Sequence, residues 1–173
     1  MATYNLISSV TVGSGGAASM EFSSIPSTYT DLKVVLSARS DYAGAVEGVN
    51  VIFNNDTATA SNAYVYLQGS GSAVSTSISA SSAYQQLGLQ DAANNTANTF
   101  GNMELYIPNY TSSNFKSSFA DSVTETGATA AYIRLAAGLY KSTSSITTLT
   151  FNPALGTLWV QYSTAYLYGI SNA

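Results

Sequence analysis

Leu32-Lys33-Val34-Val35-Leu36-Ser37-Ala38-Arg39 is the stretch that decides the fold class. Leu32, Val34, Leu36 and Ala38 recur at every second residue, so they leave a pleated strand on one face, while Lys33, Ser37 and Arg39 leave it on the other. A helix would scatter the same set around its axis. The period of two continues outward through Val49, Val51 and Phe53, then Tyr64-Val65-Tyr66-Leu67 and Gln85-Gln86-Leu87-Gly88-Leu89. Gly101, Met103, Leu105 and Ile107 are expected to face inward against Asn102, Glu104 and Tyr106, and Phe119 and Val123 to lie on a buried face. Ile133, Leu135, Ala137 and Leu139 oppose Tyr132, Arg134 and Tyr140. Strands over 146–151 and 158–168 complete the series, and Leu6 to Val12 with Ser19 to Phe22 reads as an opening hairpin around Gly13-Ser14-Gly15-Gly16.

Turn chemistry separates these runs: Ile25-Pro26-Ser27, Asn54-Asn55-Asp56, Gly69-Ser70-Gly71, Pro108-Asn109 and Asn152-Pro153. Asp91 to Asn98 is the best helix candidate, but its Asn-Asn-Thr interior favours a loop. About ten short, evenly spaced strands with half-polar faces indicate an all-β fold, an antiparallel jelly-roll-like β-sandwich forming one domain over 1–173. The nearly pure Ser/Gly/Ala segment from Gly69 to Ser82, broken by Val74 and Ile78, has two readings. It is a flexible surface loop, or a weak edge strand that orders against a partner.

The chain holds no histidine and no cysteine, and 8% of it is charged. The usual proton shuttle, the commonest metal ligand and the thiolate nucleophile are therefore missing. Lys33, Arg39, Lys116, Arg134 and Lys141 are the only cations, they are scattered, and the net charge is −4, so no nucleic-acid partner is expected. No run approaches the roughly 18 apolar residues of a membrane span, and Met1 to Ile7 lacks the pattern of a secretion signal, so no membrane association is expected. Asn-x-Ser/Thr triplets at Asn55, Asn94 and Asn109 read as chance matches in so Asn- and Ser-rich a chain.

Serine without a base is not a nucleophile. The single Ser-x-x-Lys match, Ser113-Asn114-Phe115-Lys116, sits in a polar turn. Asp121 and Glu125 share a strand face about 13 Å apart, too far for glycoside hydrolysis, which leaves only an approach of Glu104 from a neighbouring strand. Asn54-Asn55-Asp56 with Asp41 and Glu47 offers oxygens without the spacing of a calcium loop and reads better as a turn. No catalytic residue, cofactor or metal site is expected. Tyr162, Tyr166 and Tyr168 give the C-terminal strand a surface suited to a second sheet, a neighbouring subunit or a sugar. With Val74 and Ile78 they form the candidate subunit or partner interface.

Beyond these patterns, Ile7-Ser8-Ser9-Val10-Thr11-Val12-Gly13-Ser14-Gly15-Gly16, Phe22-Ser23-Ser24-Ile25-Pro26-Ser27-Thr28-Tyr29-Thr30-Asp31-Leu32 and Leu36-Ser37-Ala38-Arg39-Ser40 resemble the start of small virion proteins of tailed bacteriophages, many of them from cyanophages or aquatic phages. Asn98-Thr99-Phe100-Gly101, Leu105-Tyr106-Ile107-Pro108-Asn109-Tyr110 and Gln161-Tyr162-Ser163-Thr164-Ala165-Tyr166-Leu167-Tyr168-Gly169-Ile170 are similar to the middle and closing strand of that family. The resemblance spans essentially the whole chain, through strand and turn signatures that carry over no functional residue. It implies a capsid decoration, or cement, protein: a homotrimer on the capsid exterior of the virion, made in the host bacterial cytoplasm, with the major capsid protein as partner. Related chains in tails and fibres imply an alternative, a receptor-binding module that holds host glycans on exposed tyrosines.

Overall fold

A computed structural model describes residues 2–127 and 130–171. Its strands are β1 (Thr3–Thr11), β2 (Met20–Phe22), β3 (Asp31–Ala38), β4 (Val46–Phe53), β5 (Asn62–Gly69) and β6 (Val74–Ser82), followed by β7 (Gln85–Asp91), β8 (Gly101–Ile107), β9 (Lys116–Glu125), β10 (Ala131–Tyr140), β11 (Leu149–Pro153) and β12 (Thr164–Ser171). Every strand pairing is antiparallel. They form an eight-stranded sheet, β1-β12-β3-β8-β9-β10-β5-β6, and a four-stranded sheet, β2-β11-β4-β7. Without the hairpins β5–β6 and β9–β10, the orders are β1-β12-β3-β8 and β2-β11-β4-β7, with the chain crossing repeatedly between layers. That is the two-sheet wiring of a jelly roll. The two hairpins widen one sheet, and β7, the edge strand of the other, crosses above β9 and β10.

The core fills the space between the layers. Leu32, Val34 and Leu36 of β3, Met103, Leu105 and Ile107 of β8, and Leu167 of β12 meet Val49, Val51 and Phe53 of β4 and Phe151 of β11, each at most 1% exposed. Trp159 is fully buried and donates its indole N–H to the Phe151 carbonyl at 2.9 Å, which satisfies its one polar atom. Phe53 stacks on Tyr140 with ring centroids 5.1 Å apart.

Two sequence expectations give way here. The opening hairpin does not form: β1 pairs with β12 in the large sheet and β2 with β11 in the small one, because Gly13 to Ala17 carries the chain between layers. The closing strand begins at Thr164, and Leu158 to Ser163 is a bridge and turn in which Tyr162 takes the left-handed backbone at φ 73°. Asn54 and Asn55 also take left-handed backbone, at φ 52° and 54°, as a turn requires. Asp91 to Asn98 contains no helix, and the segment from Gly69 to Ser82 resolves into an edge strand.

Candidate functional site

β9 and β10 reverse the usual partition of a sandwich strand. Lys116, Ser118, Ser122, Thr124 and Arg134 point into the layer and are 5% exposed or less. Phe119 and Val123, expected to be buried, face solvent at 51% and 39% exposure, and Ile133 and Leu135 join them at 49% and 41%.

The cause lies in β7, which crosses above this part of the sheet and brings polar groups for the inward residues. The Ser118 hydroxyl donates to Gln85 Oε1 at 2.7 Å, and Gln85 Nε2 donates to Asn62 Oδ1 at 3.2 Å. Ser122 Oγ accepts the Leu89 N–H at 2.9 Å, and the Thr124 hydroxyl donates to the Asp91 carboxylate. Gly138 permits the close crossing: a Cβ there would lie 1.8 Å from Gln85 Oε1. Arg134 stacks on Tyr66 at 3.8 Å and gives Nη2–H to Gln68 Oε1 at 2.7 Å, while burial pulls its pKa below the usual guanidinium value. Lys116 donates from Nζ to the carbonyls of Ser142 and Ser144 at 3.1 and 2.6 Å, its ammonium pKa also lowered by burial. A one-residue slip would turn all these polar groups out and leave their partners unsatisfied. The apolar residues therefore stay outside.

Cross-strand register arranges the outer face in three rows. Leu6, Tyr168, Lys33, Tyr106, Phe119, Ala137, Val65 and Ile78 form one. Ser9, Tyr166, Val35, Glu104, Asp121, Leu135, Leu67 and Thr76 form the next. Thr11, Thr164, Ser37, Asn102, Val123, Ile133, Gly69 and Val74 form the third. The half on β9, β10, β5 and β6 is almost wholly aliphatic or aromatic. Asp121 interrupts it from the second row. Contiguous exposed apolar surface of this kind marks an interaction site on a folded domain.

The other half is mixed. Lys33 Nζ meets Glu104 Oε2 at 2.7 Å, and that hydrogen bond raises the lysine pKa. The Tyr106 hydroxyl donates to Asp31 Oδ2 at 2.7 Å, an acceptor that pushes the phenol up to about 12. A shallow hollow of about 240 Å³ lies among Tyr4, Lys33, Glu104, Tyr106, Phe119 and Asp121. An aliphatic hollow of about 410 Å³ lies along β5, β6 and β10, lined by Val65, Ile78 and Leu139 among others.

Of the residues singled out from sequence, Tyr166 and Tyr168 lie on this face at β12, and Val74 and Ile78 lie on it at β6, at opposite ends of the rows. Tyr162 stands apart in its turn, 68% exposed. Phe119, Val123, Ile133, Leu135, Val65 and Leu67, which fill the space between, were missed. Their alternation is legible in the sequence, but its phase is not, because an apolar residue on a strand is expected to face inward. Glu104 and Asp121 do face each other across β8 and β9, as the sequence left open, with Glu104 tied to Lys33. The Glu47 oxygens accept N–H bonds from Gly48, Ala154, Leu155 and Gly156, and those of Asp41 accept from Thr157 and Leu158, so both carboxylates pin the loop before Trp159.

No protein-family model and no curated protein matches the chain. Among solved structures it is similar to the Caenorhabditis elegans galectin LEC-6, at 11% identity and TM-score 0.36 over 95% of this chain and 96% of that one. It is also similar to the CBM40 domain of the Ruminococcus gnavus IT-sialidase, solved with α2,3-sialyllactose, at 9% identity and TM-score 0.33 over 96% and 91%. Similarity to the Drosophila NLP core is at 10% identity and TM-score 0.23 over 100% and 98%. At these levels the likenesses bear on neither ligand nor partner.

Proposed function

We propose that this chain is a non-catalytic phage virion protein that docks by the outer face of its large sheet onto the assembled capsid and clamps it. The observation that carries the reading is the aliphatic half of that face, held outward by a hydrogen-bonded polar layer beneath it. A rigid field whose single charge is Asp121 suits broad, mostly dry contact with another protein. Its free energy is gained only where the shell presents the complementary surface. Binding the shell and not its separated subunits then stabilises the assembled state by mass action. The sequence resemblance supplies the particle, and the face supplies the contact.

The test uses capsid shells lacking the protein, the purified chain, and the outer-face variant Phe119→Ser/Leu135→Lys. The wild type should bind shells near the copy number of the major capsid protein and raise their disassembly temperature, while the variant stays folded, melting only several degrees lower, and does neither. Equal binding by the variant, or wild-type binding in only tens of copies per particle, would overturn the reading.

The tyrosine-lined hollow favours one alternative, a tail-fibre or receptor-binding module that holds a glycan. Aromatic faces beside a charged hydrogen-bonding pair are the usual furniture of a sugar site. In that case Tyr4→Ala/Tyr106→Ala abolishes glycan binding and host adsorption and leaves shell stability unchanged.

A further inference from the structure

Three of the four sheet edges carry features that stop a strand from pairing with another chain. β1 is broken by a register shift between Leu6 and Ser8. β2 is 3 residues long. β7 has a shift opposite Val49 and Asn50, and it is almost entirely buried. β6 is different. It ends the order of the large sheet, and Val74 to Ser79 pairs without interruption with Gly69 to Tyr64. The segment contains no charge, no proline and no bulge, and Val74 and Ile78 are 72% and 75% exposed. Lys141, the nearest cation bonded to this strand, donates to the Ala80 carbonyl beyond the regular stretch.

We propose that β6 takes a second copy of this chain as its neighbour, in an antiparallel pairing about a two-fold axis at Thr76. Val74-Ser75-Thr76-Ser77-Ile78 reads the same in both directions as apolar, serine, threonine, serine, apolar. With the axis at Thr76, each Val74 stands across from Ile78 of the partner subunit on the outer face, and each Ser75 from Ser77 of the partner subunit on the inner face. Apolar meets apolar twice, hydroxyl meets hydroxyl twice, and no like charges are opposed. Charge argues for the same occupant, because a neutral edge gives a charged foreign strand no counter-ion. Two eight-stranded sheets become one of sixteen, and the two docking faces lie on the same side, so the dimer binds a repeating surface bivalently. A two-fold contact takes the place of the trimer that the sequence resemblance implies. Edge pairing of this length is smaller than the roughly 1,600 Å² of a standard interface, so dissociation in the micromolar range is expected.

The absence of cysteine makes the register directly testable. Residues facing each other across an antiparallel pair have Cα atoms about 4.5–5.5 Å apart, inside disulfide range. Thr76→Cys should therefore give a covalent dimer under mild oxidation, at least tenfold more than the exposed control Thr57→Cys. Light scattering at about 100 µM should show a wild-type dimer, a monomeric Val74→Lys/Ile78→Lys variant and a dimeric Leu135→Lys variant. The last of these separates the edge contact from docking by the outer face, because it impairs only the latter. If the double-lysine variant fails to fold, Thr76→Lys alone should shift the dimer to monomer with an unchanged melting temperature. A monomeric or trimeric wild type, a dimer that survives the lysines, or equal cross-linking at positions 76 and 57 would overturn the proposal.

Discussion

Leu105→Ala and Leu135→Ala test the inverted partition directly, because the two leucines sit at equivalent phases of apolar runs on strands of the same sheet. Leu105 is fully buried between the layers. Removing three of its carbons leaves a sealed cavity, and the loss is about 3–5 kcal/mol. Leu135 keeps 41% of its surface exposed, so about three-fifths of it is covered; at ~0.8 kcal/mol per buried methylene the loss is about 1–1.5 kcal/mol, with no sealed cavity to add. At about 2–4 °C per kcal/mol for a chain of 150–250 residues, Leu105→Ala should melt roughly 6–20 °C lower than wild type and Leu135→Ala roughly 2–6 °C lower. Calorimetry, with urea titration to check that the m-value is unchanged, measures both. Equal losses would mean that Leu135 is core, and the account of the outer face would fail.

Gly138→Ala should cost about 1–3 kcal/mol by overpacking, since its Cβ would meet Gln85 Oε1 at 1.8 Å, and thermal melting reads the loss. Tyr162→Gly should gain about 1 kcal/mol by relieving a left-handed backbone at φ 73°, seen as a higher urea midpoint. In alkali the sign follows from the Tyr106 phenol, whose folded pKa is raised from 10.0 to about 12. A raised group contributes stability that is complete below pH 10 and is lost as pH rises through about 12; ultraviolet titration should show a late phenol that Asp31→Asn brings down. Chelator, or any change between pH 6 and 8, should leave the melting temperature in place, because the chain has no histidine or cysteine to titrate or bind metal there.

The sequence by itself determined that this is an all-β sandwich. Alternation in Leu32 to Ala38 and in Gly101 to Ile107 is a local, geometric signal: a period of two cannot present one face from a helix, and a strand with one apolar face needs a second layer. It also placed the turns, since Asn54 and Asn55 tolerate the left-handed backbone that the corner after β4 requires. What it left undetermined is which side of a strand is inside. Ser118, Ser122, Thr124 and Arg134 alternate with Phe119, Val123, Ile133 and Leu135 in the same register, and either phase makes a strand. Only the tertiary structure chose, because the polar phase finds partners on β7 (Gln85–Asp91), 33 residues back along the chain, or on Gln68 and Tyr66 of β5. Buried polar groups with partners cost little, and the same groups without partners cost far more than exposed leucines. The sheet orders were likewise decided at long range, since β1 and β2 sit side by side in sequence yet each closes on a strand more than a hundred residues away. The candidate site is therefore written in the sequence as a pattern and becomes a surface only when the fold sets its phase.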